Sequence, residues 1–68
     1  MTDNEHEVLS YLEGLPHGYG QTTRGIVDRL DLSLSQVRRA LTGLRRQGQA
    51  YPRTPSWNRR PLWTAKGR

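Results

Sequence analysis

One stretch constrains the fold more than any other: Ser33 to Gly48, SLSQVRRALTGLRRQG, which carries its own helix start and its own helix stop. Ser33 followed three residues later by Gln36 makes a capping box, in which each side chain satisfies a backbone N–H that the first turn leaves unpaired. Leu32 and Val37 have the spacing of a hydrophobic staple across that start. Arg45 and Arg46 suit the negative end of the helix dipole, and Gly48 suits the left-handed position just beyond the last turn. At about 100° per residue, Val37, Leu41 and Leu44 share one face, with Leu34 beside them and Ala40 at the edge. The opposite face holds Ser35, Arg38, Arg39, Thr42 and Arg46, with Gly43 on its flank. An exposed helix face is ordinarily charged, but it ordinarily mixes both signs. This one has no acid. A cationic, hydrogen-bonding face suits a major groove, where Arg pairs bidentately with guanine and Ser, Thr or Gln meet base edges or phosphates.

The charge of the whole chain is split in the same sense. All six acids (Asp3, Glu5, Glu7, Glu13, Asp28 and Asp31) precede Leu32, with only Arg24 and Arg29 to offset them. Arg38, Arg39, Arg45, Arg46, Arg53, Arg59, Arg60, Lys66 and Arg68 follow, with no acid among them. That division implies one side facing a polyanion and another turned away. All the cations but Lys66 are Arg, which favours planar contacts to phosphate or guanine. A membrane surface would also attract the charge, but no helix pairs it with a large apolar face. With 68 residues the chain is expected to form one domain with a small core. Cysteine is absent, so disulfides and thiolate metal sites are excluded. No apolar run is long enough to span a bilayer, and the acidic N-terminus does not read as a signal peptide. A cytoplasmic protein is the expectation.

Asn4 to Leu15 reads as a first helix, with Val8, Leu9, Leu12 and Leu15 facing the core and Tyr11 at the stripe's edge. Thr2 and Asn4 are both candidate caps, and Gly14 and Pro16 end it. Carrying no cation, it should face away from nucleic acid. Pro16 to Gly20 is a loop without the pattern of a nucleotide-binding loop. His6 and His17 read as surface residues. Thr22 or Thr23 caps a second helix to about Leu30, buried through Ile26, Val27 and Leu30. Its N-terminus, with Thr22, Thr23 and Arg24, suits a phosphate. Gly25 costs roughly 1 kcal/mol there relative to Ala. Asp31-Leu32-Ser33 is a short turn into the basic helix of about residues 33–47. Beyond Gly48, Gln49 to Arg53 and Pro61 to Ala65 can each form a short strand. Pro52, Pro55 and Pro61 make those strands edge-like, with ladder donors removed. Between them a long turn carries Thr54, Trp57, Asn58, Arg59 and Arg60.

Helix, short turn and basic helix make a helix-turn-helix, and a hairpin after the basic helix makes a wing. TTRGIVDRLDLSLSQVRRALTGLRRQG resembles the helix-turn-helix of winged-helix transcription regulators, with Thr23, Leu30, Leu32, Ser33, Val37, Leu41, Leu44 and Gly48 at the places those families use. RPLWTAKG resembles the last wing strand of the MarR and PadR families, whose following dimerising helix is not found before Arg68. Arg60-Pro61-Leu62-Trp63 is also similar to the wing of Z-nucleic-acid-binding winged helices, in which Pro61 and Trp63 would meet the backbone of left-handed duplex. That family has an Asn and a Tyr where Arg38 and Thr42 stand.

The resemblance implies an α+β winged helix of three helices and a two-stranded wing over residues 1–68, and double-stranded DNA as partner. Ser35, Gln36, Arg38, Arg39 and Thr42 would enter the major groove. Thr22, Thr23, Arg24 and Arg46 would hold the backbone. Arg53, Trp57, Asn58, Arg59 and Arg60 would act from the wing, on phosphates or the minor groove. Trp63 is expected to pack in the core, against Tyr51. No catalytic constellation, metal cluster, cofactor motif or small-molecule pocket is readable, so an enzyme is not expected. A second copy or another protein is a further candidate partner. The competing class is a docking module for an acidic protein, and binding to generic duplex would separate the two; RNA binding is a third reading, with Trp57 as its one strong stacking candidate.

Overall fold

The computed structural model describes residues 1–16, 18–57 and 59–67; His17, Asn58 and Arg68 lie outside the described residues. Three helices, α1 (Asp3–Glu13), α2 (Thr23–Leu30) and α3 (Leu34–Arg46), are followed by an antiparallel hairpin of β1 (Ala50–Arg53) and β2 (Leu62–Ala65). This is the α+β winged-helix arrangement that the resemblance implies.

Each helix begins at a side-chain cap. Thr2 caps α1 in a capping box with Glu5, which decides between the two candidates. Thr22 caps α2, its hydroxyl accepting from the Gly25 N–H at 3.0 Å. Ser33 caps α3 in the box with Gln36 that its sequence spells out. The helix ends differ more. α1 stops at Glu13 rather than Leu15, because Gly14 caps it and Pro16 cannot continue it; Leu15 still packs on the core. Asp31 closes α2 in the left-handed region at φ 56°, a conformation in which Asp is better tolerated than a β-branched residue. Gly48 (φ 72°) closes α3 in a Schellman motif. Its N–H donates to Arg45 and that of Gln49 to Leu44, at 3.1 and 2.9 Å.

Val8, Leu12, Ile26, Val37, Ala40, Leu41, Leu44, Ala50 and Ala65 form the buried core, with Leu9, Tyr11, Leu15, Val27, Leu30, Leu32 and Trp63 packed around it. Ala40, expected at the edge, is fully buried. Leu34, expected on the core stripe, is 41% exposed. It is the first residue of α3, and helical side chains lean toward the N-terminus; Leu34 therefore overhangs the helix start, beyond the packed helices.

The hairpin is not edge-like throughout. β2 lies between β1 and an isolated bridge at Gln21, whose N–H and C=O exchange bonds with Trp63 at 3.0 and 2.7 Å. Since both polar backbone groups of Trp63 point to Gln21, its cross-strand partner Pro52 sits at a non-hydrogen-bonded position. Pro52 thus removes no ladder donor. Tyr51 pairs with Thr64, one residue out of step with Trp63, so the two aromatics face opposite sides of the hairpin rather than each other.

Glu5 ties α1 to α3. It is 7% exposed. Its carboxylate accepts from the Thr2 N–H at 2.7 Å and from the Gln47 amide at 3.0 Å. The Thr2 backbone bond is the chief cause that holds its pKa below the ordinary value of 4.5, against the opposing effect of burial. Gly43 leaves the space: a Cβ there would overlap the Glu5 carboxylate.

Candidate nucleic-acid interface

Helix capping and the Gln21 bridge together fix the N-terminus of α2 beside the wing. The Gln21 side chain accepts from the Thr22 N–H at 3.0 Å and donates to the Tyr11 hydroxyl at 3.1 Å, while its backbone pairs with Trp63. One residue thereby joins α1, α2 and β2. Gly25 makes room for it, since a Cβ there would overlap the Gln21 amide. The glycine that costs helix propensity therefore has a packing reason.

An open groove of about 320 Å³ lies over this junction. Thr22, Thr23 and Arg24 line it from α2, Leu34 and Arg38 from α3, and Arg60 and Pro61 from the wing. None of these described residues is acidic. Three segments far apart in sequence thus put three guanidinium-bearing side chains around one concavity. The Thr22 hydroxyl accepts from Gly25 yet retains its own O–H as a donor.

From Arg38 the exposed face of α3 continues through Ser35, Arg39, Thr42 and Arg46, all of them solvent-exposed. Gln36 is exposed too, but its side-chain oxygen accepts from the Ser33 N–H at 2.9 Å. A bidentate adenine contact needs both that oxygen and the amide NH₂, so Gln36 would have to give up its half of the cap. Leu34 is the residue the sequence reading missed. At the mouth of the groove it offers an apolar contact of the kind a thymine methyl accepts. Its place in the first turn, where little can cover it, was the available signal.

The wing residues divide. Arg60 lines the groove with α2 and α3, and Arg59 is exposed beside it. Arg53 and Trp57 lie elsewhere, in a second groove with Tyr19, Pro55 and Leu62. Asn58 falls outside the described residues. No described helix is long and apolar enough to cross a membrane. Among the described residues no group of His, Asp and Glu could hold a metal ion.

The fold is shared with several solved structures. A mutant of S. aureus MepR superimposes with a TM-score of 0.87 at 22% identity, over 98% of this chain and 49% of that one. MepR in its DNA complex gives a TM-score of 0.84 at 22% identity, over 98% and 54%. This chain thus spans about half the length of the MepR chains. The Zalpha domain of zebrafish PKZ gives a TM-score of 0.75 at 31% identity, over 90% of this chain and 88% of that one. No protein-family model and no curated protein matches the chain. The chain belongs to the winged helix-turn-helix superfamily.

Proposed function

We propose that this chain binds double-stranded DNA as a small transcriptional regulator or accessory factor, with α3 in the major groove and the wing on the flanking backbone. The observation that carries the reading is the groove joining Thr22, Thr23 and Arg24 to Arg38 and Arg60. It continues into an α3 face that has arginines and no acid. The helix start of α2 would take a phosphate, with backbone N–H groups, the Thr22 O–H and Arg24 acting together. Arg38, Arg39, Ser35 and Thr42 would read base edges, and Arg46 and Arg59 would meet phosphates. The DNA-bound MepR structure with this fold supports the geometry.

The test is anisotropy of a labelled random-sequence duplex across several salt concentrations. Binding at micromolar protein or better, weakened by both Arg38→Ala/Arg39→Ala and Arg59→Ala/Arg60→Ala, is expected. No binding at low salt would exclude the reading, because nonspecific phosphate attraction does not need the right sequence.

A second reading, recognition of left-handed duplex, is favoured by the higher identity to the zebrafish Zalpha domain and by Pro61 at the groove. Arg38 and Thr42 stand against it, occupying the places of that family's Asn and Tyr. Circular dichroism of an alternating CG duplex decides. Inversion of its long-wavelength bands on adding protein would establish the left-handed form, and an unchanged spectrum would leave the right-handed one.

A further inference from the structure

The second groove, on the other side of the wing, is lined by Arg53 and Trp57 and not by the α2, α3 and Arg60 side chains that carry the proposed duplex groove. β2 alternates, so Leu62 and Thr64 face this side while Pro61 and Trp63 face the other. Arg53 pairs across the hairpin with Leu62 and so shares its face. The groove, about 230 Å³, is bounded by Gly18 to Gly20 on one wall and by Arg53 to Pro55 with Trp57 on the other. Among the described residues it shares no lining residue with the first groove.

Its aromatics are the most exposed large apolar side chains of the described chain: Trp57 at 77% and Tyr19 at 66%. Tyr19 is nevertheless presented by a fastened loop. The Tyr19 N–H donates to Pro16 at 3.0 Å, and Gln21 two residues on is paired with Trp63. Gly20 lies so close to β2 that a Cβ would sit 2.9 Å from the Trp63 carbonyl oxygen. The backbone of Tyr19 is therefore fixed at the groove that Trp57 also lines. Arg53 supplies a cation, and none of the described lining residues is acidic.

We propose that this groove binds unpaired nucleotides, bases stacking on both Tyr19 and Trp57 while Arg53 meets the adjoining phosphate. Aromatic faces along a cationic groove are how single strands are held without sequence preference, because every base offers a π-face. The described lining offers Arg53 as its charge and no acid, which suits a phosphate beside a stacked base. The site is separate from the duplex groove and does not depend on it.

The test uses the full chain with labelled oligothymidylate and, in a parallel arm, oligouridylate, which separates DNA from RNA as the source of the strand. Tyr19→Ala is expected to lower single-strand affinity about tenfold, the scale of one lost base–aromatic stack. Its ratio of single-strand to duplex affinity should fall with it. The indole emission of the wild type should be quenched on binding, and Trp57→Phe should remove most of that change. Both side chains are exposed, and matching thermal melts of variant and wild type would verify folding. Failure of both oligonucleotides to bind at low salt overturns the proposal, as does undiminished affinity in Tyr19→Ala. A chain that binds single strands but no duplex would overturn the duplex reading and leave this one standing.

Discussion

Gly43 shows how a single position reverses the sign expected from local propensity. In an isolated helix, Gly43→Ala would gain about 1 kcal/mol. Here the added methyl would displace the Glu5 carboxylate and with it the bonds to Thr2 and Gln47. Gly43→Ala is therefore expected to lower the melting temperature. The loss should be smaller when Glu5→Ala is already present, and a double-mutant cycle by thermal melts measures that coupling. The same carboxylate has a pH signature. Its folded pKa is lowered, so its contribution is present above about 4.5 and is lost as pH falls through the folded value. Urea midpoints should accordingly drop on the acid side, and Glu5→Gln should show a shallower drop there than the wild type.

At the scale of the element, α3 is bracketed by two devices of known worth. Ser33→Ala removes the cap that accepts from Gln36 at 3.1 Å and should cost about 1 kcal/mol. Gly48→Ala forces a Cβ into the left-handed region and should cost about 1–2 kcal/mol. Nothing lies within 4 Å of a Cβ at Gly48, so the cost there is conformational rather than steric. Urea denaturation of the two variants checks both figures. The two sites lie at opposite ends of α3, so their effects should add. The hairpin depends on a residue outside it: Gln21 makes β2 a central strand, so the wing's root is fixed while Trp57, Arg59 and Arg60 nearer the tip are exposed.

For the whole molecule, the division of charge is the property with the largest consequence. Neutralising about six phosphates should give a slope of log affinity on log salt near −5. Removing Arg38 and Arg39 together should make that slope shallower by about two if both meet phosphates, and by less to the extent that they read bases. Duplex anisotropy from low to moderate salt supplies the slopes. The core has little to spare: Leu12 is 1% exposed, and Leu12→Ala should cost roughly 2–5 kcal/mol. That is a large share of the stability of a domain this size, so its unfolding should reach room temperature in a calorimetric or circular-dichroism melt.

The sequence by itself determined the three helices, the Ser33 capping box, the Schellman glycine, most of the core and the acid-free face of α3. These follow from interactions within three or four residues, or from a periodicity that recurs along one element, and both are written in the order of the chain. Tertiary structure alone decided the rest. It chose Thr2 over Asn4, left Leu34 outside the core, and gave Gly25 and Gly43 their reasons in Gln21 and Glu5. Tyr51 and Trp63 were set on opposite sides, and the wing's arginines were divided between two grooves. Each of these depends on which residue of a distant element arrives at a given point. The Gln21 bridge, the register of β1 on β2 and the approach of α1 to α3 are fixed by packing across the molecule, and no local pattern encodes them.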